Sequence, residues 1–239
     1  MLFRSCAGMW IDTDTNDVRL CPEYRFFVVF FHPHMRITVH RKEEERMNRS
    51  KLLLLIEVAI FAGIGLVLDM LSISLWFQGG SISLVMVPIV LMAIRWGLAG
   101  GLSTGLLIGI LQILAGRAYI LYPAQGFLDY FVAFTVVGLV ALVRGKVLNA
   151  NKEKNKGKIV TYIVIGSIFG GLLRLLTHVV AGVIFFSEAA EGQNVWIYSI
   201  VYNSGYMIPS IILTAIICSI IFTAAPRLLV SKRDTSLSK

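Results

Sequence analysis

The sequence is poor in charge, in cysteine and in catalytic signatures. Only 15% of its 239 residues are charged, whereas soluble domains carry about 25%. Its three cysteines, Cys6, Cys21 and Cys218, are odd in number and show no metal-ligand spacing, which argues against a disulfide framework. HExxH, GxSxG and P-loop motifs are absent. These deficits exclude a disulfide scaffold, an ordinary cytosolic enzyme and a chain that couples ATP hydrolysis by itself.

Long apolar runs fill most of the chain instead. Hydrophobic residues account for 56% of it, and its mean hydropathy is +0.76. A span needs roughly 20 mostly apolar residues, and a helix satisfies its own backbone polar groups in lipid. We therefore expect an all-α membrane protein with six transmembrane helices. The apolar segments lie at about residues 52–76, 82–94, 98–115, 123–143, 159–186 and 196–225.

Basic residues indicate how these segments are oriented. The formal net charge is +8, and much of the positive charge lies between Arg144 and Lys158 and in the C-terminal tail. Arg49, Lys51 and Arg95 fall on the same side if there are six spans. Cytoplasmic loops carry such an excess of Lys and Arg, so we expect both termini in the cytoplasm. The lysine run is then a solvated inner loop, and we expect no nucleic-acid partner.

Ionisable side chains inside a span are costly and therefore mark functional candidates. Asp129 lies in the fourth segment, Arg174 and His178 lie one helical turn apart in the fifth, and Asn203 lies in the sixth. With both termini inside, these groups lie at a comparable depth in the outer half. Three helices are therefore expected to direct polar groups at one site near the external surface.

Each of these residues also has a purely structural interpretation. Asp129 and Arg174 could form an ion pair, because their charges are opposite. His178 could be a hydrogen-bonded core residue, and Asn203 could simply link two helices. Their recurrence on three helices favours the binding site over these separate roles.

Residues near the segment ends have a different interpretation. Tyr119, Tyr198 and Trp196 could belong to the aromatic belt at the membrane interface. Glu57 and Asp69 lie toward the two ends of the first segment, and we interpret both as interfacial.

The expected site suits a flat, heteroaromatic, cationic ligand. Aromatic faces and a carboxylate stabilise a cation, while Asn and Tyr can hydrogen-bond ring nitrogens. No second carboxylate lies beside Asp129 in the sequence. We therefore expect a binding site without a catalytic residue, a metal ligand or a cofactor.

From about Lys51 to Leu229 the chain resembles the thiamine-specific S-components (the ThiT/YuaJ family) of energy-coupling factor (ECF) transporters. The stretches that carry the resemblance are Ile56–Gly63, Gly116–Leu121, Gln125–Tyr130, His178–Phe186 and Tyr198–Asn203. The resemblance implies a six-helix subunit that captures thiamine from outside and is not an enzyme. It also implies release through a transmembrane coupling subunit (EcfT) and two cytosolic ATPase subunits.

The resemblance further assigns roles to particular positions. It implies ligand contacts at Tyr119, Asp129, Arg174, His178, Gly182, Phe186, Tyr198 and Asn203. It implies that Ala59 and Gly63 contact the coupling subunit, and small residues four apart do allow close helix approach. The alternative for this pair is packing within the chain itself. The glycine-containing loop at residues 76–81 could close over the ligand as a lid.

Some positions depart from the family pattern. Certain members carry Glu at the position of Asp129, Lys at that of Arg174 and Trp at that of Phe186. An acid that some members have in the second segment is replaced near Ser83. These departures leave open a related ligand, such as a thiamine precursor.

Two other function classes are also open. The first is an autonomous proton-coupled secondary transporter in which Asp129 and His178 form the relay. The second is an intramembrane enzyme that uses the same two residues as acid and base.

Residues 1–46 differ in character from the apolar region that follows, and we predict that Met47 is the true start. The domains are then a leader at 1–46, a transmembrane domain at 47–230 and a cytoplasmic tail at 231–239; the alternative is a genuine cytoplasmic extension. The codons of Lys42-Glu43-Glu44 are expected to spell a purine-rich ribosome-binding sequence. Reading the gene's DNA checks this, and codons that spell no such sequence would remove the argument.

Overall fold

The computed structural model describes the backbone of residues 10–12, 17–19, 33–75 and 80–229, and the side chains of 49–75 and 80–229. The chain divides into two units, Met1–Lys51 and Leu52–Lys239. In the first unit, β1 (Trp10–Asp12) pairs antiparallel with β2 (Asp17–Arg19). The leader and the tail that the sequence predicts fall largely outside the described residues and stay predictions.

All six apolar segments are helical, as the sequence predicts. Four stretches are long and apolar enough to cross a membrane, whereas α2 (Met86–Trp96) and α3 (Leu98–Leu114), with 11 and 17 residues, are shorter. At 1.5 Å per residue those two span only about 16 and 25 Å. The sidedness of the helices stays a prediction. The helices are α1 (Pro33–Met70), α2 (Met86–Trp96), α3 (Leu98–Leu114), a composite fourth segment (Pro123–Lys152), α7 (Lys156–Phe185) and α8 (Val195–Ala224).

The fourth segment is irregular where the sequence predicts one uniform helix. It runs through α4 (Pro123–Gly126), a π-helical turn (Phe127–Val132), α5 (Ala133–Val137), a 3₁₀ stretch (Gly138–Val143) and α6 (Arg144–Lys152). A π turn inserts an extra residue and redirects the side chains around it, often at functional sites. Asp129 lies in this π turn.

The first helix ends at Met70, six residues before the predicted end at Trp76. The chain then turns, and β3 (Ile73–Ser74) pairs antiparallel with β4 (Ser81–Ile82). Gly80 has φ +90°, a conformation that favours glycine. Residues 76–79 of the expected lid lie outside the described residues.

Asparagine caps start α7 and α8, each of 30 residues. The side chain of Asn155 accepts a hydrogen bond from the backbone N–H of Lys158 at 3.0 Å. The side chain of Asn194 accepts from the N–H groups of Trp196 and Ile197. Such caps satisfy donors that have no partner inside the helix, so both helices have defined N-termini.

Glycines bring α3 against the backbone of the fourth segment. A Cβ on Gly105 would overlap the backbone of Phe134, and one on Gly109 would overlap the carbonyl of Tyr130. Gly101 and Gly138 meet in the same way. Small residues allow such close helix approach in membranes. The glycines of α3 thereby allow this helix to lie directly against the backbone of the π turn.

Polar side chains tie the short turn between α2 and α3 to its neighbours. Arg95 donates to both carboxylate oxygens of Glu57, at 2.6 and 2.9 Å, and the Trp96 indole N–H donates to the same group at 2.7 Å. Arg144 donates to the carbonyl of Ile94 at 2.8 Å. Glu57 is therefore an interhelical anchor, and its placement at the membrane interface stays a prediction.

Large apolar side chains lie exposed along the outer faces of the long helices. On α1 they include Leu55 and Ile60, and on α8 they include Ile212, Ile216 and Ile220 at steps of four residues. Residues four apart share one helix face. These faces are suited to contact lipid, while Ile89, Ile108, Val140, Ile163 and Phe222 fill the core.

Replacing Gly109 with Ala is expected to destabilise the protein. The added methyl group would meet a backbone carbonyl, which cannot move away by a change of rotamer, and overpacking costs typically about 1–3 kcal/mol. Gly63→Ala is the matched control, because nothing lies within 4 Å of a Cβ there. Thermal unfolding of the detergent-solubilised proteins measures the difference. Equal melting temperatures for the two variants would contradict the described contact.

Candidate functional site: a polar and aromatic cavity

A cavity of about 200 Å³ lies among the end of α1, the β3–β4 hairpin, α3, the fourth segment, α7 and α8. All eight residues that the family resemblance assigns to ligand binding line it. They are Tyr119, Asp129, Arg174, His178, Gly182, Phe186, Tyr198 and Asn203. The structure thus brings these residues together; their contact with a ligand stays a prediction.

His178 links Asp129 to Arg174. Its Nδ1 lies 2.8 Å from Asp129 Oδ1, and its Nε2 accepts from Arg174 Nε at 3.3 Å. A guanidinium can only donate hydrogen bonds, so Nε2 acts as the acceptor and the ring proton lies on Nδ1, where it is donated to Asp129. The alternative of a direct ion pair between Asp129 and Arg174 is replaced by this three-residue chain. The Arg174 guanidinium also lies over the Phe134 ring, 4.1 Å from its centroid.

Gln125 fixes the other oxygen of Asp129. Its Nε2 donates to Asp129 Oδ2 at 2.7 Å and to the Tyr119 carbonyl at 3.1 Å. Its Oε1 accepts from the backbone N–H of Leu121 at 3.0 Å. The Tyr130 hydroxyl accepts from the backbone N–H of Tyr119 at 2.8 Å. The carboxylate and the loop that carries Tyr119 are therefore held by one set of hydrogen bonds.

Asn203 joins α8 to α7. Its Nδ2 donates to the Ser199 carbonyl at 2.8 Å, and its Oδ1 accepts from the Tyr206 hydroxyl at 2.6 Å. Ser199 in turn donates to the Val179 carbonyl at 2.9 Å. A Cβ on Gly182 would overlap Ser199 Oγ. Asn203 thus links helices and also lines the cavity, so its two interpretations are compatible.

Aromatic rings form much of the remaining wall. Tyr198 and Tyr202 stack with centroids 5.9 Å apart, and Tyr202 meets Tyr206 edge to face at 6.4 Å. His178 meets Tyr206 at 6.1 Å. Tyr198 is consequently part of the cavity wall and not only a membrane-interface residue.

A second polar wall was missed by the sequence analysis. Asp69, Gln112 and Arg117 line the cavity from the first half of the chain. Arg117 Nε lies 3.4 Å from Asp69 Oδ2. Asp69 is 9% exposed and belongs to this wall; its position relative to the membrane interface stays a prediction. Two features of the sequence could have indicated this wall: the carboxylate of Asp69 near the end of an apolar segment, and the amide of Gln112 within an apolar helix.

The arrangement is suited to noncovalent recognition. Among the side chains of 49–75 and 80–229, no group of three or more His, Cys, Asp or Glu residues could hold a metal ion. Two carboxylates, two guanidinium groups and a surrounding set of rings instead provide hydrogen bonds, charge and stacking surfaces. Such a site can hold a polar heteroaromatic molecule away from bulk water.

Comparison with known proteins was made at the levels of family, sequence and fold. The family described as "Thiamine transporter protein (Thia_YuaJ)" matches residues 55–230. The chain is 44% identical over 192 residues to "Thiamine transporter ThiT" of Bacillus subtilis (strain 168), covering 78% of this chain and 100% of the relative. It is 32% identical over 195 residues to the ThiT of Lacticaseibacillus paracasei, covering 80% and 97%.

A solved structure of ThiT from Listeria monocytogenes has the same fold. The TM-score is 0.71 at 32% sequence identity, and the match covers 76% of this chain and 99% of the other. The aligned part is therefore similar in both sequence and architecture.

Proposed function

The chain belongs to the Thia_YuaJ family of thiamine transporters, and from that premise we propose that its cavity captures thiamine from outside the cell. Membership makes it a multi-pass integral protein of the cell membrane that serves thiamine uptake and is not an enzyme. The finer proposal is that it acts as the substrate-binding S-component of an ECF transporter. The convergence of seven residues from three segments, and of Tyr119 from the loop before the fourth, on one cavity carries this proposal.

The cavity wall suits the chemistry of thiamine. Thiamine combines an aminopyrimidine, which offers hydrogen-bond donors and acceptors, with a cationic thiazolium ring. Tyr198, Tyr202 and Phe186 line the cavity, and aromatic faces attract a cation. We propose that these rings hold the thiazolium while polar groups bind the aminopyrimidine.

Asp129 is the residue that we assign to the aminopyrimidine. Its side chain is 15% exposed and hydrogen-bonded by His178 and Gln125, one at each oxygen. Each carboxylate oxygen has two lone pairs, so a further donor from the ligand can still be accepted. A carboxylate already fixed in position loses little side-chain freedom on binding, which favours affinity.

The geometry favours a binding role over a proton relay. In a relay, His178 would have to take up a proton at Nε2 and release one at Nδ1. Nε2 already accepts a hydrogen bond from Arg174, so this nitrogen is not open to take up a proton from the cavity. Asp129 and His178 therefore fit a fixed recognition pair better than a proton pathway.

Ala59 and Gly63 are proposed to contact the coupling subunit EcfT, which would act with two cytosolic ATPase subunits. Ala59 is exposed, and nothing lies within 4 Å of a Cβ at Gly63. The alternative role for these residues is packing within the chain, but no described atom of the chain packs against Gly63. A flat surface of small residues on α1 permits close approach by a helix of a partner.

The purified chain is expected to bind thiamine, and Asp129→Asn is expected to weaken that binding. Loss of a charged hydrogen-bond partner costs about 1.5–3 kcal/mol, or roughly 10- to 150-fold in Kd. Calorimetry is the direct measurement, because Trp96 and Trp196, the tryptophans whose side chains are described, do not line the cavity. Glu153→Gln is the control, since that exposed acid pairs with Lys158 in a loop.

Absence of heat at micromolar thiamine in the unmodified chain would remove the thiamine assignment. Preference for a thiamine precursor over thiamine in the same titration would identify the related ligand instead. Equal affinities for Asp129→Asn and Glu153→Gln would remove Asp129 from the site.

Replacing Gly63 with Trp is expected to abolish uptake while leaving thiamine binding intact, because the indole would obstruct the small-residue surface of α1. Ile220→Trp is the matched control, since Ile220 is 59% exposed on α8. Uptake is measured in vesicles that contain the coupling subunit and both ATPases, and binding by calorimetry. Normal uptake by Gly63→Trp would contradict the docking assignment, and uptake by the chain alone would favour an autonomous transporter.

A further inference from the structure

Two buried polar side chains of the second wall have hydrogen-bonding capacity that no described residue uses. Gln112 of α3 is 3% exposed, and Asp69 near the end of α1 is 9% exposed. Both line the cavity. They are joined through Arg117, whose side chain reaches Asp69 and whose backbone N–H donates to the Gln112 carbonyl at 2.9 Å.

The side-chain amide of Gln112 has no hydrogen-bond partner among the described residues. It also differs from the sealed, unpartnered hydroxyl groups of Thr104, Ser167 and Thr214, because it borders the cavity. An amide can donate two hydrogen bonds and accept two, and buried polar groups are nearly always satisfied. The amide is therefore available to form hydrogen bonds with a molecule held in the cavity.

Asp69, which lines the same cavity, also has unused hydrogen-bonding capacity. Arg117 engages Asp69 through Oδ2, at 3.4 Å, and through the backbone carbonyl, at 3.2 Å. Oδ1 accepts no hydrogen bond from the described residues. A carboxylate oxygen can only accept, whereas the Gln112 amide can donate.

We propose that Gln112 and Asp69 form a second polar subsite that binds the hydroxyl end of the ligand. A hydroxyl both donates and accepts, so it can donate to Asp69 Oδ1 and accept from the Gln112 amide. This inference rests on the proposed function: with the aminopyrimidine at Asp129, the remaining polar group of thiamine is its hydroxyethyl arm. The subsite then selects ligands that carry an alcohol.

The test compares thiamine with an analogue whose hydroxyethyl group is replaced by ethyl. For the unmodified chain, the analogue is expected to bind at least about tenfold more weakly, because it leaves the buried amide and carboxylate unpaired. In Gln112→Met, thiamine is expected to lose about tenfold in affinity while the analogue changes less than about twofold. Asp69→Asn is expected to reduce the preference for thiamine in the same direction.

Thr104→Val is the matched control, because Thr104 is a buried, unpartnered residue of the same helix that does not line the cavity. It is expected to leave both affinities unchanged. Equal binding of the two ligands by the unmodified chain overturns the subsite, whether or not the variants fold. Equal weakening of both ligands in Gln112→Met overturns it too, because that pattern indicates a structural role. Absence of thiamine binding in the unmodified chain is a different result and rejects the proposed function itself.

Discussion

Pairing of charges inside an apolar bundle is the constraint on which the rest of this structure depends. An ionised group removed from water is costly unless a partner compensates it. Asp129, His178 and Arg174 meet this requirement in one chain of hydrogen bonds across two segments. Glu57 with Arg95, and Asp69 with Arg117, do the same between other pairs of elements. These contacts determine which helix faces turn inward, and hence where a polar cavity can exist.

The same constraint explains why much of the site could be predicted from the sequence. A charge within an apolar run is stable only where a partner compensates it, so the sequence positions of Asp129, Arg174 and His178 indicate a shared interior location. The helical state of the six segments followed from the need to satisfy backbone polar groups in lipid. The resemblance to a family supplied the positions that carry no charge, such as Gly182 and Phe186.

Other features depend on geometry that residue patterns do not encode. Asp69 looked interfacial because it lies near the end of an apolar run, but the early end of α1 and the following hairpin place it in the cavity wall. Gln112 is uncharged, so its position within an apolar helix did not indicate that it lines the cavity. The π turn around Asp129 lies where the α3 glycines pack closely against the fourth segment, and this contact is a property of two elements together.

Helix α1 carries both an end of the cavity and the proposed docking surface. Gly63 and Asp69 are six residues apart, which corresponds to about 9 Å along a helix. The described polar anchors of α1 flank the small-residue surface, with Glu57 on one side and Asp69 on the other. If the proposed subsite and the proposed docking surface both hold, a ligand that engages Asp69 would contact the same helix that carries Ala59 and Gly63. The two proposals would then be connected through one helix.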